Sequence, residues 1–393
     1  MRMRTKIKIL ALMTLAYVAL LLCGGTAFAD DSVKEELEEQ IGDKLGELDF
    51  SEIQQWIDSY GGDVADGGFL ETVKEVIGGK YDGDAKGFFN AVAAVATKSV
   101  RGALPSLIAI FAIALLYSIV GGLSGGFLKK STTELIYFAC YAAMISIVIA
   151  RVASLLSEAT STVRSMQSLM NACFPVLLTL LTALGSSSAA SVYQPMTAIL
   201  SSGVTTVVTT VVLPLFIAAT TVGIIGNLSK NIKLSKLTSF FKSCANWILG
   251  GVFGIFATFL SVQGLTGSIA DTISVKTAKF ALQSYVPLLG GYLSDGFDLV
   301  LAGLVLIKNS TGLVITLLIL SAVAAPVVDT AVFALGLKLV SGLVEPVGDE
   351  RFSSMLAGVS KNLGVLVAII LGVGFMFVVT VMLIVATCNA GVV

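Results

Sequence analysis

The sequence predicts an all-α, polytopic helical membrane protein with an internal parallel duplication and broken, re-entrant segments, preceded by a small helical extracytoplasmic region. Three observations predict it. The 393 residues are 55% hydrophobic and 13% charged, with mean hydropathy +0.91, whereas a soluble chain carries about 25% charged residues. Seventeen of the 26 acids crowd between Asp30 and Asp84. Several apolar runs open at a proline and break off before they reach the roughly 20 residues a helical crossing needs.

Residues 1–29 read as an export signal. Arg2, Arg4, Lys6 and Lys8 precede the apolar stretch from Ile9 to Leu22, and Ala27-Phe28-Ala29 gives a small-x-small cleavage site. Its basic end stays in the cytoplasm, so the acidic residues 30–100 emerge on the far side. There Val33, Leu37, Ile41, Leu45 and Leu48 recur at near-helical spacing, followed by Ile53, Trp56 and Ile57 and the breaker Gly61-Gly62. Short helices follow over Phe69 to Ile77 and from Ala85. Two readings stand for this region, a solvated cap on the membrane domain or a docking surface for an extracytoplasmic partner.

Residues 101–393 form the polytopic domain. Its spans are Leu104–Gly126, Thr132–Ala150, Met196–Ile225, Ala245–Leu265, Thr311–Val328 and Gly364–Thr387. Lys129-Lys130 and the acid-free loop holding Lys230, Lys233, Lys236 and Lys242 fall on the cytoplasmic side if the acidic region is outside. That count puts the carboxyl terminus outside. The loop's lysines alternate with Ile232, Leu237, Phe240 and Phe241, which suits either a helix on anionic lipid or a simple topogenic loop.

Two stretches do not read as plain spans. In "FPVLLTLLTALGSSSAASVYQP" an apolar run opens at Pro175, stops at Gly185, Ser186, Ser187 and Ser188, and resumes beyond Pro195. In "VPLLGGYLSDGFDLVLAGLVLIKNSTG" the run opens at Pro287 and is interrupted at Gly290-Gly291 and at Gly296. Pro175 and Pro287 are 112 residues apart, as are Pro214 and Pro326, and at that offset "TSTVR" faces "TISVK" and "VVLPL" faces "VAAPV". The spacing predicts parallel repeats over about 132–225 and 245–340, with a final span at 364–387. Broken backbone at membrane depth needs protein or a watery cavity around it, and a dry re-entrant pair and a cavity both meet that need.

Charges near the spans, Arg151, Glu158, Asp329 and Lys338, read as interfacial, and Lys308 reads as the marker of a span end. Gly121/Gly125, Gly122/Gly126 and Gly250/Gly254 offer faces for close helix packing. The chain has no histidine and five scattered cysteines. No P-loop, zinc signature or nucleophile elbow is present, so no enzyme, cofactor, metal or nucleic-acid function is expected.

The order of these features, and above all "CFPVLLTLLTALGSSSAASVYQP" with "LLGGYLSDGFDLVLAG", resembles the stage III sporulation protein AE family of endospore-forming Firmicutes. The resemblance implies a multi-pass component, in the mother-cell membrane facing the forespore, of the complex that joins the two cells after engulfment. It also implies a requirement for late forespore gene expression. Its implied partners are the other stage III A proteins with their cytoplasmic ATPase, and stage II sporulation protein Q across the intermembrane space, besides membrane lipid. Two other readings remain, a self-contained secondary transporter with a site between its repeats and a scaffold with no conduit of its own.

Overall fold

The structure is a computed structural model, and it describes Leu45 and residues 48–60, 68–78, 85–127, 130–228, 234–266, 290–346 and 349–387. The export signal, Lys230, Lys233 and Pro287 lie outside the described residues. Eight helices organise the remainder: α1 (Ser51–Tyr60), α2 (Phe69–Ile77), α3 (Ala85–Phe127), α4 (Lys130–Ala183), α5 (Ser187–Ile225), α6 (Ser235–Thr266), α7 (Gly290–Val344) and α8 (Glu350–Ala386). The last six are long and apolar enough to cross a membrane, which makes this a multi-pass, all-helical membrane protein.

These helices exceed a bilayer. At 1.5 Å per residue the 54 residues of α4 and the 55 of α7 each run about 80 Å, against a hydrocarbon layer of about 30 Å. Their large exposed apolar side chains gather in one belt, the part of the surface that suits lipid. Large apolar side chains face outward from Val100 to Ile119 on α3, Leu135 to Ile149 on α4, Val211 to Ile225 on α5, Leu237 to Ile255 on α6 and Leu335 to Leu343 on α7. On α3 to α6 these stretches are about 20–28 Å tall, and they lie side by side. Tyr117 and Tyr137 mark one edge together with Phe352, their rings 5.0–5.7 Å apart, and the Arg351 guanidinium stacks 3.4 Å over Tyr137. Arg351 is also paired with Asp349 at 2.8 Å. An aromatic and charged rim of this kind suits a membrane–water interface. This is the basic end of the molecule, where Lys130 opens α4 and Lys236 sits in the first turn of α6.

Beyond the belt the outward face changes chemistry. On α4 the exposed positions past Ala150 include Ser154, Ser157, Ser161, Arg164, Ser168, Asn171, Thr179 and Thr182. On α5 they include Ser187, Ser188, Ser191, Gln194, Ser202, Thr206 and Thr210. Beyond the belt, Ile199 and Val300 are the large apolar side chains exposed on α5 and α7. The inward face of the same stretch is largely apolar: Phe174, Val176, Leu177, Leu180, Leu181 and Leu184 are buried, with Thr162, Ser165 and Ser186 among them. Three apolar runs read as spans, Met196–Ile225, Thr311–Val328 and Gly364–Thr387, fall on helices long and apolar enough to cross a membrane, and they are also heavily packed against protein. Many of their residues are buried against protein, and hydropathy does not distinguish lipid from packed side chains.

The centre is an antiparallel pair, α7 and α8. Ser341 and Ser353 exchange hydroxyl-to-carbonyl hydrogen bonds at 2.9 and 3.1 Å, and Ser360 donates to the Ala334 carbonyl at 2.7 Å. Lys308 donates to the Thr387 carbonyl at the other end. The register thus holds over about 50 Å of α7. Close approach is enforced by glycine: a β-carbon on Gly312 would lie 2.1 Å from Val385, and one on Gly374 would lie 2.8 Å from Val323. The Gly250/Gly254 face of α6, expected to pack, is open, with nothing within 4 Å of an added β-carbon at either residue.

Two expectations about broken elements are corrected. Helix α7 runs without interruption from Gly290 through Gly291 and Gly296 to Val344, so residues 286–312 hold no break among the described residues. A glycine inside a helix costs about 1 kcal/mol relative to alanine and does not by itself stop it. Helix α4 likewise continues from the span at Thr132–Ala150 through Pro175. Proline there removes a hydrogen bond to the Asn171 carbonyl, but Asn171 and Pro175 are both on the exposed face, where water can replace it. Leu299–Val328 is accordingly part of one helix and forms no hairpin. At the 112-residue offset, α7 is continuous where α4 turns into α5.

Helices α1 and α2 form a cap on the region beyond the belt. Asp49 caps α1: its carboxylate accepts the Ser51 backbone N–H at 3.0 Å and is held below the usual carboxylate range by Ser51. Ile53, Trp56 and Ile57 face inward while Glu52 and Asp58 face out. The Trp56 indole donates to the Ser165 carbonyl of α4 at 2.8 Å, and Gln54 accepts from the Phe69 N–H at 2.8 Å, tying α2 to α1.

Candidate functional site

The α4–α5 hairpin is the most distinctive element. The turn is made by Leu184, Gly185 and Ser186, and Gly185 has φ +81°, a left-handed conformation that glycine adopts without penalty. The Ser186 N–H returns to the Leu181 carbonyl at 3.1 Å and the Gly185 N–H to Thr182 at 2.9 Å, closing the helix end. Ser186 is fully buried, and helix α5 starts at Ser187 with Ser188 and Pro195 on its outward face. Of the break expected at Gly185-Ser186-Ser187-Ser188, the structure keeps only the turn at Gly185 and Ser186, about 50 Å along α4 from Ala150. It lies well beyond the belt of exposed apolar side chains on α4.

Two turns into α5, the Tyr193 hydroxyl meets the Thr387 hydroxyl at 2.8 Å. The buried Lys308 ammonium donates to the Thr387 carbonyl, at the carboxyl end of α8. A cation there offsets the negative end of the α8 dipole and satisfies a carbonyl with no partner in the helix. Lys308 therefore does not mark the end of a span, as its sequence position suggested. It fastens α7 to α8, and Tyr193 brings the hairpin to the same point. Periodicity gave no signal for this cluster, since a lysine inside an apolar run reads the same whether it snorkels or caps a neighbour.

Arg151 and Asp329 meet where the belt gives way to the polar face, 2.8 and 2.7 Å from nitrogen to the two carboxylate oxygens. Within α5 the path of the helix is loosened twice: Ile199–Val204 and Val208–Val212 are π-helical, between Pro195 and Pro214. Such insertions rotate one half of a helix against the other. Here they fall where the outward face of α5 passes from polar to apolar. Of the lysines singled out at the basic end, Lys236 is exposed in the first turn of α6, and Lys242 lines a cavity between α5, α6 and α8. Gly290, Gly291 and Gly296 are brought to none of these sites by any described contact. No group of three metal-ligating side chains occurs among the described residues.

The family model described as stage III sporulation protein AE matches residues 68–388, from the start of α2 to just past α8. The chain belongs to the stage III sporulation protein AE family. A member from Bacillus subtilis (strain 168), "Stage III sporulation protein AE", is 24% identical over 267 residues, covering 68% of this chain and 67% of that protein. No solved structure matches. Membership places the protein in sporulation. The matched residues take in the belt, the hairpin, the Lys308 cluster and the basic-end cavity, so none of these is an appendage to the family's fold.

Proposed function

We propose that this protein is the membrane-anchored core of a transenvelope complex between mother cell and forespore, acting after engulfment and needed for late forespore gene expression. The observation that carries this reading is the reach of the helices. On α4 the large exposed apolar side chains gather at one end, and the remainder of the helix rises about 50 Å beyond them with a serine- and threonine-lined outward face. A secondary transporter keeps its body and its site near the bilayer midplane. An assembly component that must meet partners between two membranes gains from rigid, water-facing helices standing clear of one.

On this reading the basic end is cytoplasmic, in accord with its lysines. The distal hairpin and the α1–α2 cap face the intermembrane space. Its partners are the other stage III A proteins and their ATPase at the basic end, and stage II sporulation protein Q at the distal end. The test is deletion of the gene in its own spore-forming host, with complementation by the full chain or by a Ser161→Arg/Ser168→Arg variant. The deletant stalls after engulfment, and the variant inserts stably but fails to restore sporulation. A deletant that sporulates normally while losing uptake or efflux of a solute overturns the proposal in favour of a transporter.

A further inference from the structure

At the basic end, α5, α6 and α8 enclose a cavity of about 230 Å³ lined by Thr220, Asn227, Thr238, Lys242 and Asn362, with glycines between them. Asn362 is only 3% exposed. Its Nδ2 donates to the Thr220 hydroxyl oxygen at 3.2 Å, and Thr220 in turn donates to the Phe216 carbonyl at 2.9 Å. The direction of that chain fixes the amide, leaving Asn362 Oδ1 as a buried acceptor with no donor. A buried acceptor of this kind calls for a partner.

Positive charge is gathered at the same place. Lys242 lines the cavity and Lys361 stands close enough to repel it. No acidic side chain is among the cavity's described lining residues. At the start of α6 the Thr238 N–H donates to the Leu234 carbonyl at 3.0 Å. The amino end of this 32-residue helix carries the positive end of its dipole, which favours an anion. Just outside, Leu237 and Phe240 are exposed at the start of the lipid belt.

We propose that this cavity binds the phosphate of an anion that also carries hydroxyl donors, the chemistry of a phosphatidylglycerol headgroup and of free glycerol phosphate. The phosphate sits between Lys242 and the α6 amino end, and a hydroxyl of the ligand donates to Asn362 Oδ1. The apolar rim of Leu237 and Phe240 favours the lipid, whose chains it would line. The site is independent of which complex the protein joins.

The experiment uses the full chain in phosphatidylcholine nanodiscs, titrated with phosphatidylglycerol, with further phosphatidylcholine, or with glycerol phosphate in solution. Thermal unfolding and retained lipid, counted by native mass spectrometry, are read together. Phosphatidylglycerol raises the midpoint and is retained, whereas added phosphatidylcholine does neither. Lys242→Gln weakens phosphatidylglycerol binding about fivefold. Asn362→Leu removes the orphan acceptor, so it keeps or raises the midpoint in phosphatidylcholine yet loses the phosphatidylglycerol effect. A response to glycerol phosphate equal to that of the lipid assigns the site to a soluble phosphate. An equal response to phosphatidylcholine, or an undiminished response in both variants, overturns the proposal.

Discussion

Arg151 of α4 and Asp329 of α7, 178 positions apart, meet through one guanidinium nitrogen that donates to both carboxylate oxygens at 2.8 and 2.7 Å. The pair is neither surface nor core, with side chains 23% and 16% exposed. It stands at the level where lipid-facing side chains end, and the Arg151 guanidinium also lies 5.8 Å from the Phe333 ring. Removing one partner leaves a half-buried charge unmatched. Arg151→Ala or Asp329→Ala is expected to cost about 1–3 kcal/mol, between the surface and buried limits. The double variant Arg151→Asp/Asp329→Arg recovers part of it. Thermal unfolding in detergent reads the comparison, and singles that equal wild type contradict it.

Gly185 tests the hairpin turn. A β-carbon at φ +81° costs about 1–2 kcal/mol. Gly185→Ala is expected to lower stability by that amount, and Gly185→Asn by less, since asparagine tolerates the left-handed region. Equal behaviour of the two would mean that the turn relaxes into another conformation.

Two glycines separate a packed helix face from an open one. Gly312→Ala drives a methyl group against Val385, a side chain with little rotamer freedom, and is expected to cost about 1–3 kcal/mol. Gly250→Ala meets nothing within 4 Å and gains up to about 1 kcal/mol of helix propensity. Unfolding midpoints that move in the same direction for both would contradict the α7–α8 register.

Lys308 separates a cap from a spacer. Lys308→Met keeps the length of the side chain and gives up the hydrogen bond to the Thr387 carbonyl at the end of α8. Lys308→Glu places an anion against carbonyls that already carry the helix's negative end. The glutamate variant is expected to lie about 2 kcal/mol or more below the methionine variant, measured by denaturation or by folded yield in membranes. Tyr193→Phe, which loses the 2.8 Å contact to Thr387, costs about 1 kcal/mol.

The sequence was most informative where lipid is the neighbour. Leu104–Gly126 and Thr132–Ala150 coincide with the belt on α3 and α4, because an apolar outward face against lipid is what hydropathy measures. Gly185 was legible as a break because the following serines and the left-handed turn share one signal. Thr311–Val328 and Gly364–Thr387 were legible as apolar but not as core, since Ile315, Leu318, Ile369 and Val373 are buried against protein and carry the same hydropathy as they would in lipid. Gly291 and Gly296 were read as breaks for their residue type alone, and the helix absorbs them. The outward serine and threonine stripe of α4 has helical spacing and was visible in principle. Its apolar neighbours at Phe174 to Leu184 obscured it.

The placement of the membrane at one end of these helices carries the account. It is tested by single cysteines introduced into a cysteine-free chain at Ser161, Ser168, Thr179 and Ser191, with Ile108, Leu135 and Leu339 as belt controls. A membrane-impermeant maleimide is applied to sealed cells or spheroplasts. The four distal positions are expected to label without permeabilisation while the belt positions stay unlabelled. Protection of the distal positions, or labelling of Ser168 and Ser191 from opposite faces, would place the hairpin inside the bilayer and contradict the account.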